Sequence, residues 1–209
     1  VYAGIRSSSS KEFLRNAKTR FLQLDLSSPE KLEKSFRDFA KENGKFDYVI
    51  HNAGITKAKS AEEFELVNSR YTMNVVKALI AANCVPEKFV YISSLAAFGP
   101  KDTSDPIRDT DEPKPITQYG RSKLLTEKFL YSLTDFPFVI IRPAAVYGPR
   151  DRAFLVLVKM IKSGIEPYLG NREQLLSFIH VKDLVKIILM LMKGPFKRKA
   201  YFISDGKTY

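Results

Sequence analysis

The chain has 209 residues, 44% of them hydrophobic and 27% charged, a composition typical of an α/β domain large enough to bury a core. No apolar run reaches membrane-spanning length, and the single cysteine excludes a disulfide framework, so we predict a cytoplasmic protein without a membrane partner. The net charge of +11 is spread along the chain without an aromatic-basic motif, which argues against a nucleic-acid partner.

Predicted strands alternate with predicted helices along the chain. The strands are Val1 to Ile5, Arg20 to Leu24, Phe46 to His51, Lys88 to Ser93, Phe136 to Arg142 and Ala200 to Ser204. The helices begin at Ser28-Pro29-Glu30 and continue with residues 61–83, 118–132, 152–163 and 181–193. Apolar runs in the strands indicate burial on both faces of a parallel sheet, so we predict a doubly wound α/β fold with ligands at the carboxyl ends of the strands.

One pair of side chains in the helix predicted at 118–132 points to proton transfer. Tyr119 and Lys123 are four residues apart and therefore share a helix face. A neighbouring ammonium lowers the pKa of a phenol and makes it a usable proton donor near neutral pH. A solvated helix face would give the same spacing, so this pair alone does not distinguish the two interpretations.

Further segments with the right order and spacing favour the chemical interpretation. Ser94 ends a predicted strand and precedes Tyr119 by 25 residues (119 minus 94). Together with Tyr119-Gly-Arg-Ser-Lys123, the chain contains Lys88-Phe-Val-Tyr-Ile-Ser-Ser94, Phe138-Val-Ile-Ile-Arg-Pro143, Val146-Tyr-Gly-Pro149 and Phe178-Ile-His-Val-Lys-Asp-Leu184. This set resembles the extended short-chain dehydrogenase/reductase family, in its epimerase/dehydratase-like and hydroxysteroid or dihydroflavonol reductase-like branches, over essentially the whole chain.

The resemblance implies a Rossmann-type sheet in two parts. Residues 1–150 would form an incomplete dinucleotide-binding domain, and residues 151–209 would begin a substrate-binding region whose helix at 181–193 packs back on the first part. None of the glycines forms the family's glycine-rich turn. We therefore expect the first strand, that turn and the first helix to lie upstream of Val1 in a longer enzyme. The resemblance is also compatible with a homodimer.

The resemblance also implies contacts to a nicotinamide dinucleotide after the first two predicted strands. Residues 1–10 contain Arg6 and no acidic residue, which suits a 2′-phosphate and favours NADP over NAD, although Arg6 could equally be a surface residue. Asp25 and Leu26 match the family's adenine contact. An Asp at this position could alternatively cap the helix that begins at Pro29.

Two further cofactor segments follow later strands. Asn52, Ala53 and Gly54 match a loop that passes the ribose and diphosphate, where small residues let the backbone approach a ligand. The preceding His51 is interpreted as an orienting or core histidine rather than a catalyst. Arg142, Pro143 and Val146 lie where the family places nicotinamide contacts, although Arg142 could instead pair with a carboxylate.

The resemblance assigns three catalytic roles and no metal site. Tyr119 would protonate the oxygen of a carbonyl, or deprotonate an alcohol in the reverse reaction, while Ser94 would hydrogen-bond the same oxygen. Lys123 would lower the Tyr119 pKa and bind the nicotinamide ribose. Ser93 would only turn the strand end. His180 and Asp183 are expected to be structural, with Asp183 capping the helix that follows.

Departures from the family's subgroup patterns narrow the chemistry. Leu95-Ala96 replace the Asp-Glu pair of the dehydratases, and Ala144-Ala145 and Leu176 replace an Asn and an Arg that bind diphosphate in many epimerases. We therefore predict an NAD(P)-dependent reductase or dehydrogenase of a small or apolar carbonyl or alcohol. An NAD-dependent epimerase of a nucleotide sugar is the first alternative. A catalytically silent dinucleotide sensor is the second, and the presence of Ser94, Tyr119 and Lys123 argues against it.

Overall fold

The structure is a computed structural model that describes residues 1–14, 18–101, 103, 105–165 and 175–209. Its strands are β1 (Tyr2–Ile5), β2 (Arg20–Gln23), β3 (Tyr48–His51), β4 (Lys88–Ile92), β5 (Phe138–Pro143), β6 (Ala145–Tyr147), β7 (Phe178–His180) and β8 (Lys199–Ile203). Its helices are α1 (Pro29–Asn43), α2 (Ala61–Phe64), α3 (Tyr71–Ala81), α4 (Gln118–Ser132), α5 (Arg152–Lys162) and α6 (Val181–Lys193). The π-helical segment Glu65–Arg70 joins α2 to α3, and the 3₁₀ turn Leu95–Ala97 follows β4.

The strands pair in parallel throughout the described residues. The main sheet has the order β3-β4-β5-β8, and β1 with β2 and β6 with β7 form two further pairs. Within the main sheet His51 lies opposite Tyr91, and Ile92 opposite Ile141. The carboxyl ends of β3, β4 and β5 therefore lie along one edge, which is where ligands bind in doubly wound sheets.

Both faces of the central strands β4 and β5 are buried, as the apolar runs in the sequence predicted, whereas Tyr48 and Ile50 of β3 are exposed. Phe89 and Tyr91 of β4 point to one face and pack with α1, α3 and α4, whereas Val90 between them packs with α6 on the other. Burying a large apolar side chain contributes about 1.5–3 kcal/mol, so the central strands β4 and β5 carry much of the stability. The helices pack on both faces of β4 and β5, so the site lies at the edge where the carboxyl ends of the strands meet.

The C-terminal elements belong to the same layers as the main sheet. Strand β8 pairs with β5, and helix α6 packs against β4 and β5. The buried Lys88 at the start of β4 donates hydrogen bonds to the carbonyl oxygens of Leu191 (2.9 Å) and Gly194, and so caps the end of α6. The boundary predicted between residues 150 and 151 stays a prediction. Among the described residues, no helix has the length and apolarity that a membrane crossing requires.

Candidate active site

Helix α4 lies against the turn that follows β4, and this contact assembles the site. Thr117 caps the helix by accepting a hydrogen bond from the Gly120 amide at 3.0 Å. A Cβ atom on Gly120 would lie 2.1 Å from the carbonyl oxygen of Ala96, closer than any side chain permits. The backbone of α4 therefore touches the backbone of the turn, and this contact brings Tyr119 close to Ser94.

The two hydroxyl groups have different environments. Ser94 is half-buried and begins the 3₁₀ turn, where its Oγ accepts a hydrogen bond from the Ala96 amide at 3.2 Å. Burial raises the pKa of Tyr119, while a side-chain hydrogen bond with Ser94 acts in the opposite direction. The net direction is upward, so the predicted lowering of the Tyr119 pKa is wrong for the protein alone. Burial, which the spacing of two residues does not reveal, outweighs the hydrogen bond with Ser94.

Lys123 is buried on the inner face of α4. Its Nζ donates a hydrogen bond to the carbonyl oxygen of Ile92 at 2.9 Å and lies 5.0 Å and 6.0 Å from the ring centroids of Tyr91 and Tyr119. Burial lowers the pKa of Lys123 to about 8, and the charge of Glu127 opposes this shift. Lys123 is therefore mainly protonated at pH 7 and loses its charge just above neutrality.

The loop after β3 approaches the same lysine. Asn52, Ala53 and Gly54 are exposed, and a Cβ atom on Gly54 would lie 2.8 Å from Asn68 Oδ1 and 3.3 Å from Lys123 Nζ. The loop backbone thus lies directly beside the lysine, with no side chain between them. The structure brings together the predicted loop and Lys123, and leaves the outer side of the loop open to a ligand.

Asn68, in the π-helical segment, is a site residue that sequence reasoning missed. Its side chain accepts a hydrogen bond from the Ile55 amide at 2.7 Å and donates to Ile55 O and Ser122 Oγ, both at 3.0 Å. These bonds join the loop after β3 to helix α4. An asparagine within an otherwise apolar helical face was the available signal, and π-helical segments often mark functional sites.

His51 lies in the core beneath this loop. Its ring stacks near Phe89 and Tyr91, and its Nε2 lies 2.9 Å from the hydroxyl of Thr72, which itself donates to the carbonyl oxygen of Asn68. Nε2 must therefore carry the proton and donate to Thr72. Burial, reinforced by the charge of Lys123, lowers the pKa of His51 to about 3. The neutral ring is placed as a core histidine rather than a catalyst.

Arg142 forms a buried ion pair. Its Nη2 lies 2.6 Å from Glu127 Oε2, and the Glu127 side chain is only 1% exposed. Arg142 thus has the carboxylate partner that was the alternative to a nicotinamide contact, and Glu127 was not singled out in the sequence. Its neighbour Pro143 is buried at the end of β5, whereas Val146 is exposed on β6.

The remaining cofactor candidates lie at the ends of β1 and β2. Arg6 is exposed in a turn in which its amide donates to Ser9 Oγ and its carbonyl accepts from the Ser9 amide, both at 3.0 Å. The Asp25 carboxylate accepts hydrogen bonds from Ser27 and pairs with Lys31 at 3.2 Å. Hydrogen bonds, first from the Ser27 hydroxyl and then from Lys31, lower the Asp25 pKa.

Two capping predictions can be compared directly with the structure. Helix α1 is capped by Ser28, which accepts from the Lys31 amide, and not by Asp25. Leu26 follows Asp25 and offers its carbonyl oxygen to Asn74 at 3.0 Å. Helix α6 is capped by His180, whose Nδ1 accepts from the Lys182 amide. The predicted capping role of Asp183 is wrong, because its carboxylate instead pairs with Lys186 at 2.9 Å.

Comparison with known proteins identifies the family that the chain matches. The family model described as the NAD dependent epimerase/dehydratase family matches residues 1–203. The UDP-glucose 4-epimerase of Vibrio cholerae is 30% identical over 171 residues, covering 76% of this chain and 52% of that protein. The ceramide reductase of Caulobacter vibrioides is 28% identical over 184 residues, covering 88% of this chain and 50% of that protein. The chain thus spans about half the length of these curated relatives.

Solved structures confirm the predicted Rossmann-type α/β fold. The Bordetella bronchiseptica enzyme WbmG, in complex with NAD and UDP, superposes with a TM-score of 0.80 at 22% identity. The superposition covers 100% of this chain and 65% of that one. Similarity at this level of identity establishes the fold, while the activity of the present chain has to be argued from its own residues.

Gly120→Ala tests the close approach of α4 to the turn. Alanine usually stabilises a helix relative to glycine by about 1 kcal/mol, but here its Cβ would collide with Ala96 O. We expect a net loss of about 1–3 kcal/mol in the free energy of unfolding, measured by urea denaturation. Lys128→Ala, at an exposed position of the same helix, should change it by less than about 0.5 kcal/mol. A Gly120→Ala protein as stable as the wild type would contradict this packing.

His51→Gln tests the neutral buried imidazole. The unfolded chain takes up a proton on this histidine below about pH 6.5, whereas the folded protein does so only near pH 3, so the wild type loses stability as the pH falls. Urea denaturation should show about 2 kcal/mol more loss between pH 6.5 and 5 for the wild type than for His51→Gln. Equal losses in wild type and His51→Gln would show that His51 accepts its proton in the folded state.

Proposed function

The chain belongs to the NAD-dependent epimerase/dehydratase family, and we propose that it carries the acid–base site of an NAD(P)-dependent oxidoreductase acting on a carbonyl or alcohol. The observation that carries the proposal is the meeting of Tyr119, Ser94 and Lys123 at the carboxyl edge of the sheet, enforced by the backbone contact at Gly120. A packing role alone would require neither a half-buried pair of hydroxyls nor a buried lysine beside them.

The residues at this edge fit a nicotinamide dinucleotide. The Asn52-Ala53-Gly54 loop offers exposed backbone without bulky side chains, and the ammonium of Lys123 lies directly beside it. Lys123 would bind ribose hydroxyls, and the loop would pass the ribose and diphosphate. When bound, the dinucleotide supplies a hydride to a carbonyl carbon or takes one from an alcohol carbon.

The protein's own part in the reaction is to move and stabilise a proton. Tyr119 Oη donates its proton to the carbonyl oxygen as negative charge develops there, and takes it back in the reverse direction. Ser94 Oγ donates a hydrogen bond to the same oxygen. Lys123, mainly protonated at pH 7, stabilises the phenolate that Tyr119 becomes. Because burial raises the pKa of Tyr119, the phenol is fully protonated at neutral pH and ready to act as an acid.

The substrate is proposed to be a small or apolar carbonyl or alcohol. Elimination of water would need an acid and a base directly after Ser94, and Leu95 and Ala96 provide neither. Ala144 and Ala145 lack the polar side chain that holds diphosphate in many epimerases. A nucleotide-sugar epimerase is the second candidate, favoured by the 30% identity to the Vibrio cholerae enzyme. We further propose a cytoplasmic homodimeric enzyme.

The preferred cofactor is proposed to be NADP. Arg6 is the cation in the turn after β1, and no carboxylate lies among residues 1–10 to repel a 2′-phosphate. The turn between Arg6 and Ser9 is closed by two hydrogen bonds, which fix the backbone from which the exposed Arg6 side chain extends. An Arg to phosphate contact of this kind is charge-assisted and bidentate where geometry allows.

Tyr119→Phe in the full-length protein should reduce turnover by at least about 10²-fold, because it removes the proton donor and leaves the ring. Affinity for the dinucleotide, measured by fluorescence titration, should change little. Tyr131→Phe, an equal deletion at an exposed position of the same helix, is the matched control and should keep wild-type turnover. A Tyr119→Phe enzyme with wild-type rates on every accepted carbonyl would make Tyr119 a packing residue.

Product analysis of the same full-length enzyme separates the two candidate functions. Net oxidation of NADPH with formation of an alcohol supports the reductase. A sugar epimer formed without net change of cofactor supports the epimerase instead, and would overturn the proposed carbonyl or alcohol substrate.

Arg6→Ala should weaken NADPH binding selectively. Loss of one charge-assisted contact costs about 1.5–3 kcal/mol, so the Kd for NADPH should rise roughly tenfold or more while that for NADH stays within about twofold. Arg37→Ala removes the same charge from the exposed face of α1 and controls for the net charge of the protein. Equal wild-type affinities for NADH and NADPH in a calorimetric titration would refute the NADP preference.

A further inference from the structure

A buried carboxylate lies one helical turn beyond Lys123. Glu127 is 1% exposed and receives hydrogen bonds from two directions. Arg142 donates through Nε at 3.1 Å to each carboxylate oxygen and through Nη2 at 2.6 Å to Oε2, and Ser93 Oγ donates to Oε1 at 2.5 Å. The position of the carboxylate is therefore fixed, because hydrogen bonds hold both of its oxygens.

Arg142 is itself held in place. Its guanidinium lies 5.6 Å and 5.0 Å from the ring centroids of Phe98 and Phe202, and the residue is 9% exposed. Phe98 follows the turn after β4, and Phe202 belongs to β8. The guanidinium thus packs against two rings that also contact each other, with their centroids 5.2 Å apart.

Each partner in this network is adjacent to an element of the proposed acid–base site. Ser93 precedes Ser94 at the end of β4, and Glu127 shares the inner face of α4 with Lys123 at a spacing of four residues. Arg142 lies near the carboxyl end of β5. The network therefore joins α4 to the ends of β4 and β5, directly behind the two hydroxyls and the lysine.

We propose that Glu127 is a positioning residue: its carboxylate, held by Ser93 and Arg142, fixes helix α4 against the ends of β4 and β5 and keeps Lys123 charged beside Tyr119. A buried ion pair gives little net stability compared with apolar side chains of the same volume. Here the ion pair instead fixes the position of the Glu127 carboxylate and places its charge near Lys123. The meaning for catalysis rests on the proposed function, but the effect of Glu127 on Lys123 is measurable without a substrate.

Among the described groups that face Lys123, Glu127 is the anion. Tyr119 shares the helix with Lys123 and is protonated at neutral pH, since burial raises its pKa. Tyr91 from β4 is also uncharged, because burial strongly raises its pKa, and His51 from β3 is neutral down to about pH 3. Arg142 from β5 lies behind Glu127. Removal of the Glu127 charge should therefore lower the pKa of Lys123, which that charge now raises.

The experiment is an NMR titration of the full-length protein labelled with ¹³Cε-lysine, with the Lys123 signal assigned from Lys123→Met. Its midpoint should lie near pH 8 in the wild type. Glu127→Gln should lower this midpoint by about one pH unit or more, a tenfold change in the dissociation constant. Glu87→Gln, at an exposed position, should leave it unchanged. An unchanged midpoint in folded Glu127→Gln protein overturns the proposal.

A double variant separates positioning from simple stability. Glu127→Leu with Arg142→Met replaces the ion pair by apolar side chains, which should restore folding where Glu127→Gln is unstable. The Lys123 midpoint should nevertheless stay lowered, and kcat should fall at least tenfold while KM changes by less than about threefold. Wild-type kcat and a wild-type midpoint in this stable variant would assign the network to stability alone.

The two proposals can fail separately. An enzyme whose Tyr119→Phe variant is fully active loses the proposed function, yet the Lys123 titration still decides whether Glu127 controls that lysine. Conversely, an unaffected Lys123 midpoint removes the role of Glu127 and leaves Tyr119 to be judged by its own variant.

Discussion

The backbone contact between helix α4 and the turn after β4 is the constraint on which the site depends. At Gly120 the backbone of α4 and the backbone of the turn approach so closely that no Cβ atom fits beneath the Ala96 carbonyl oxygen. Any larger separation would move Tyr119 away from Ser94 and draw Lys123 away from the Ile92 carbonyl that it now reaches at 2.9 Å. The acid–base geometry is therefore a property of backbone packing first, and of the reactive side chains second.

Buried hydrogen bonds make this arrangement specific. The carbonyl oxygen of Asn68 accepts from the hydroxyls of both Thr72 and Thr126, at 2.9 Å and 3.0 Å, while its side chain holds the loop after β3 and Ser122 of α4. A displaced helix would leave several of these groups without a partner, at about 1–3 kcal/mol each. Asn68 is fully buried, so water does not replace the lost bonds. Helices α3 and α4 and the loop after β3 consequently hold one another in place.

The sequence predicted the long elements well because their signals are local. Helix α4 coincides with the helix predicted at residues 118–132, and in the structure Thr117 caps its first turn. Strands β6 and β7 were not predicted, because three residues each give no detectable period, and their pairing joins distant parts of the chain.

Partners far apart in sequence explain what was missed at the site. Glu127 and Arg142 are 15 residues apart, and Asn68 and Ser122 are 54 apart. Neither pair follows from spacing within one element. The direction of the Tyr119 pKa shift depends on burial by Phe64 and its neighbours, which only the folded structure reveals.

The order of ionisation at the site follows from that burial. Lys123, with a pKa lowered to about 8, loses its proton well before Tyr119, whose pKa is raised. The protein alone therefore presents a phenol that holds its proton beside an ammonium, with Arg142 balancing Glu127 behind them. This arrangement leaves one positive charge in excess next to an acid, which under the proposed function would stabilise negative charge that develops on a substrate oxygen. Proton donation to a carbonyl would use the site in this ionisation state. Under the proposed function, removal of a proton from an alcohol would require Tyr119 to ionise first, against the cost of its burial.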